Sequence, residues 1–74
     1  MQVMYSFQKN RTEHVKAYFQ TFKRTDLVHL RVFQAGADGT QQPTKKGIAV
    51  RVDQLADLHA AIEALVAANE AESR

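Results

Sequence analysis

Hydrophobic positions along the chain follow two periods, and the period changes once, near Val52–Asp53. Before that point Val, Phe, Tyr and Thr alternate with polar residues in short runs. After it Ala, Leu and Glu dominate at helical spacing. Glu13–Phe22 and Leu27–Phe33 both alternate, and Lys23-Arg24-Thr25-Asp26 between them reads as a tight connection. With Arg24-Thr25 at the tip, Phe19 faces Leu30, Ala17 faces Val32 and Thr21 faces Val28 on an apolar side. Lys16, Tyr18, Gln20 and Phe22 then share the opposite side with Phe33, Arg31, His29 and Leu27. Lys46–Val52 alternates as a further strand, with Ile48, Val50 and Val52 on one side. The turn signal before it is Asp38-Gly39. A three-residue loop, Ala37-Asp38-Gly39, sets Ile48 opposite Val28 and Lys45 opposite Arg31, which keeps the apolar side dry. Pro43 has no N–H to donate and fits an unpaired strand start. Val3, Tyr5 and Phe7 alternate as a further strand or an extension of the first.

The segment after Val52 predicts one helix over about residues 54–68, followed by a short acidic tail. Asp53 suits its N-cap. Leu55, Leu58, Ile62, Leu65 and Val66 form a stripe that should lie on the apolar side of the sheet. Ala56, Ala60, Ala64, Ala67 and Ala71 form a second stripe. Small side chains let a second helix approach closely, although alanine is also simply the best helix former. The pattern is that of one β-then-α domain, without internal repeats.

Length changes the picture. A core of 74 residues rarely supplies more than about 3–5 kcal/mol, and the absence of cysteine excludes a disulfide or thiolate-zinc staple. The remaining staple is a second chain, with Ala56, Ala60, Ala64 and Ala67 as the expected contact. A hydrophobic fraction of 45% with 24% charge is globular composition. No apolar run approaches the roughly 20 residues of a membrane span, Met-Gln-Val-Met-Tyr-Ser-Phe lacks the basic start and long apolar stretch of a signal peptide, and a cytoplasmic protein is expected. The net charge of +2 divides unevenly, with nine Lys and Arg against three acids up to Val52, and one against five beyond it. A basic sheet half suggests an anionic partner.

Little supports catalysis. The serines are Ser6 and Ser73, the acids of the sheet half sit at strand starts or turns, and Asp53 and Asp57 suit the positive end of the helix. His59 and Glu63 stand four apart, but two ligands make no metal site, so neither metal nor cofactor is expected. Gly36-Ala37-Asp38-Gly39 spells a G-x-x-G but joins two strands and carries an acid, unlike a KH loop. The side bearing Lys16, Tyr18, Gln20, Phe22, His29, Arg31 and Phe33, with Lys45 and Arg51 next along, carries the strongest signal. Cations neutralise a nucleic-acid backbone, and aromatic rings take unstacked bases at roughly 1–3 kcal/mol each. Duplex DNA hides its base faces and rewards a helix in the major groove, whereas this helix is acidic. The alternative for Tyr18, Phe22 and Phe33 is packing under a loop or a partner subunit.

His29-Leu30-Arg31-Val32-Phe33, then Pro43-Thr44-Lys45-Lys46-Gly47-Ile48-Ala49-Val50, then Asp53 with Leu55 and Leu58, resembles the positive cofactor 4 type of transcriptional coactivator and its bacterial and phage relatives. The similarity runs from about Val15 to Ile62. The chain departs from that pattern at His29 and Val32, where acids are usual, at Gln34 for an aromatic and at Leu55 for a tryptophan. The resemblance implies an α+β fold, a curved antiparallel four-stranded sheet followed by one C-terminal helix, dimerised through the helices and binding single-stranded DNA. By position it makes Phe22 a base-stacking ring and Lys23, Arg31, Lys45 and Lys46 backbone contacts, with Lys46 curling out from the apolar side. The expectation is a compact, non-enzymatic, homodimeric binder serving transcription, replication or repair. Lys16, Tyr18, Phe22, Lys23, Arg24, Arg31, Phe33, Lys45, Lys46 and Arg51 form its nucleic-acid face. RNA binding, or a dimeric protein-interaction module of the transcription machinery, are the alternatives.

Overall fold

The computed structural model describes residues 2–72; Met1 and the last two positions of the acidic tail, Ser73 and Arg74, lie outside them. Four antiparallel strands, β1 (Val3–Gln8), β2 (Glu13–Phe22), β3 (Thr25–Ala35) and β4 (Gln41–Arg51), form one sheet in chain order. A 3₁₀ turn, Val52–Gln54, leads into the helix α1, Leu55–Glu72. The Val3–Phe7 alternation is therefore a strand of its own, and β1 and β4 are the sheet's edges.

The β2–β3 hairpin turns on Lys23-Arg24, one residue earlier than the pattern suggests. Both turn residues have positive φ (51° and 65°), which matches the right-handed twist of the flanking strands. Phe22 then pairs with Thr25, Phe19 with Val28, and Ala17 with Leu30, a shift of two from the expected register. Thr21 Oγ1 donates to Asp26 Oδ1 at 2.7 Å across this register. A two-residue shift preserves the faces, so the division into an apolar and a cationic side survives.

The next connection is the expected three-residue loop. Gly36 N–H donates to Thr40 O at 2.7 Å, and Asp38 Oδ1 accepts from Thr40 N and Oγ1. The Thr40 hydroxyl holds the Asp38 carboxyl below its usual value. Phe33 pairs with Pro43, but after a bulge Arg31 pairs with Gly47 and Leu30 with Ile48. Thr44, Lys45 and Lys46 thus stand opposite Val32 alone. Thr44 staples this bulge: its Oγ1 donates to Val32 O at 2.8 Å and accepts from Lys46 N–H at 3.2 Å. Pro43 lies within the strand rather than before it, which an edge strand tolerates.

Burial departs from the expectation in one important respect. Val28 and Val32 of the apolar side are buried, but Phe19 is 50% exposed, and Ile48 and Val52 are exposed too. The helix does not roof them. None of its residues is buried, and Leu55, Ile62, Leu65 and Val66 face solvent. Asp53 is not the N-cap; it sits inside the 3₁₀ turn, where its Oδ1 accepts from Arg51 Nε at 3.1 Å, and Gln54 Oε1 instead accepts the Arg51 N–H. On the other side, Tyr18 and Phe33 are each only 5% exposed. The chain's best-packed rings therefore lie on the cationic side.

Candidate nucleic-acid interface

Direct cross-strand partners share a face, so the pairings Lys16↔Arg31, Tyr18↔His29, His14↔Phe33, Phe33↔Pro43 and Arg31↔Gly47 assemble the cationic side. Tyr18 and His29 stack with centroids 4.9 Å apart and planes 3° from parallel. Phe33 meets Tyr18 edge-on at 6.1 Å, and Lys16 Nζ stands 4.7 Å from the Phe33 centroid. These rings bury one another without help from the helix, each aromatic contact adding of order 1 kcal/mol.

They form the floor of an open cleft of about 710 Å³, whose walls include Gln20, Arg31, Gln41, Thr44 and Lys45. The bulge aims its two lysines apart. Lys45 lines the cleft, whereas Lys46 Nζ binds Glu13 Oε2 at 3.2 Å instead of curling out to the cationic side. Glu13 is the buried end of that pair. Asn10 Nδ2 also donates to it at 2.7 Å, and Asn10 first and Lys46 second hold its carboxyl below the ordinary value. Arg31 is fixed by donating from Nη1 to the Thr44 carbonyl at 3.1 Å and from Nε to His29 Nδ1 at 3.4 Å.

The expected residues therefore divide. Lys16, Arg31 and Lys45 converge with Tyr18 and Phe33, but the two rings are floor and present no free face. Phe22 does: it is 57% exposed at the strand end, with Lys23 Nζ 5.4 Å from its centroid. Lys23 and Arg24 form the hairpin tip beside it. Arg51 pairs with Leu27 on the cationic side, though its guanidinium is engaged by Asp53. Ala56, Ala60, Ala64 and Ala67 lie exposed on α1. The strands carry only two acids, Glu13 and Asp26, and their partners Gln34 and Thr21 place both on the apolar side. His29 is a feature of the cleft that the sequence pattern left without a role: its Nε2 is buried and, among the described residues, has no hydrogen-bond partner.

His59 Nε2 lies 2.9 Å from Glu63 Oε1, and among the described residues no group of three or more His, Cys, Asp or Glu could hold a metal ion. No helix among them is long and apolar enough to cross a membrane.

An open four-stranded sheet followed by a single C-terminal helix is also the fold of a PC4 homologue from Burkholderia pseudomallei K96243. Its crystal structure matches with a TM-score of 0.76 and 25% identity, over 92% of this chain and 88% of that one. Residues 9–61 match the model of the Transcriptional Coactivator p15 (PC4) family, and the chain belongs to that family. The family is a nucleic-acid-binding one with coactivator-like roles. No individually curated protein matches the chain.

Proposed function

We propose that this protein binds single-stranded DNA across the cationic side of its sheet, as a homodimer and without catalytic activity. One observation carries this function: Arg31 and Lys45 line a cleft whose floor ring Phe33 carries Lys16 over it, the sheet face there holds no carboxylate, and an exposed Phe22 stands beyond with Lys23 and Arg24. The cleft's cations meet the phosphodiester backbone, and Phe22 takes an unstacked base. Tyr18 and Phe33 hold the floor in shape. Lys46, engaged by Glu13, contributes to the field and not to a direct contact.

Salt titration tests the charge component. Oligo-dT binding should weaken with a log K against log salt slope of about −0.7 per phosphate neutralised, with duplex of equal length competing poorly. Lys45→Ala should flatten that slope more than Lys46→Ala does. Equal duplex affinity, or a slope near zero, would reject the proposal, and oligo-U outcompeting oligo-dT would turn it toward RNA.

The homodimer rests on the two apolar surfaces that a single chain leaves open: Phe19 and Ile48 on the sheet with Val52 just after it, and Leu55, Ile62, Leu65 and Val66 on the helix. Sedimentation at micromolar concentration should report two chains per particle, and Ile62→Asp or Ala60→Glu should shift it toward one. A folded monomer in the unaltered protein would overturn the dimer.

A further inference from the structure

His29 sits in an electrostatic setting unlike that of the other two histidines. Its ring is sandwiched against Tyr18, and its Nδ1 faces Arg31, whose Nε and Nη2 both lie 3.4 Å away. A guanidinium has only donors, so Nδ1 accepts and the neutral ring carries its proton on Nε2. That Nε2 is buried and, among the described residues, left without a partner. The charged and titratable groups around it are Tyr18, Lys16 and His14 from β2, Arg31 from β3, and Lys45 and Arg51 from β4; β1 contributes none on this side. Of these, Arg51 is already tied to Asp53 and His14 shares a 3.0 Å contact with Gln41. A second proton on this ring would meet cations and no strand carboxylate.

Resting on the proposed single-strand function, we infer that His29 is a proton-linked positioning residue: neutral, it holds Arg31 by Nδ1, and when a phosphodiester enters the cleft it takes up a proton, releases the guanidinium and leaves both groups facing the backbone. The arriving phosphate is the first anion in the cleft, and it stabilises the protonated ring that the empty cleft disfavours. Protonated Nδ1 can no longer accept, so its contact with Arg31 ends as the phosphate offers Arg31 a stronger partner. The empty protein has the opposite bias, because burial first and Arg31 second keep the ring's proton affinity below the usual histidine value of 6.5. By linkage, a ligand that raises proton affinity is bound more tightly when protons are plentiful.

The test is oligo-dT affinity at fixed ionic strength from about pH 8 down to about pH 5.5, a range in which histidine is the side chain that ordinarily titrates. Affinity should rise by about tenfold per unit of histidine pKa gained on binding. His29→Gln should abolish the rise, while His14→Gln should keep it. A rise that survives His29→Gln, or a flat profile in the unaltered protein, overturns the coupling. Nuclear magnetic resonance of the unaltered protein gives a second readout: the His29 ring should titrate at higher pH with saturating oligo-dT than without, and an unchanged or lower midpoint overturns the coupling even if the variant misfolds. Binding that occurs but ignores pH removes the coupling alone. No oligo-dT binding at any pH removes the single-strand function and the coupling with it.

Discussion

Gly47→Ala should cost about 3 kcal/mol or more of stability, a loss comparable to the whole margin of a domain this small. Gly47 has φ +136°, a region closed to side chains, and it closes the bulge directly opposite Arg31. An added Cβ would press on the Leu30 carbonyl oxygen and sit 2.7 Å from the Arg31 Cα, both backbone atoms that cannot swing aside. The cost falls on the β3–β4 pairing that sets Lys45 and Arg31 at the cleft. Urea denaturation should show a large drop in midpoint. An unchanged midpoint would mean that the bulge is not built as described. Gly39→Ala provides contrast: φ is also positive there, but a Cβ would meet nothing within 4 Å, so the strain is local to a loop tip.

Phe33→Ala should be nearly as damaging, at roughly 3–5 kcal/mol, because it empties the floor against which Tyr18 packs edge-on and over which Lys16 lies. Phe22→Ala, at a half-exposed ring on the same sheet side, should stay within about 0.5 kcal/mol. Thermal or urea unfolding of the two variants side by side distinguishes floor from rim. A Phe33→Ala protein as stable as the parent would remove the buried ring cluster from the account.

Period-two alternation was enough to divide the sheet into its two sides, because a register error of two residues leaves every side chain on its proper face. The register itself was not legible at the hairpin. Lys23 and Arg24 take the left-handed conformation that Asn and Gly ordinarily announce, so the sequence carries no conventional signal for that turn. Pro43-Thr44-Lys45-Lys46-Gly47 was legible as a motif, but only the fold reveals it as a stapled bulge that sends Lys45 into the cleft and Lys46 to Glu13. Alternation also says nothing about which side of a sheet is buried when a single chain cannot cover both. Phe19 was therefore expected inside and Phe33 outside, whereas the folded chain exposes the first and buries the second. The helix stripe is regular enough to predict an apolar face, but that face does not lie on the sheet of its own chain, and periodicity does not encode that distinction.

Charge alone would bind any polyanion, whereas single-strand recognition requires that bases be engaged as well. Phe22→Ala assayed in parallel against oligo-dT and heparin at one salt concentration separates the two, because heparin carries charge but no bases. Oligo-dT affinity should fall by roughly 1–3 kcal/mol while heparin affinity holds. Equal losses for both ligands, or no loss for either, would contradict single-strand recognition through Phe22.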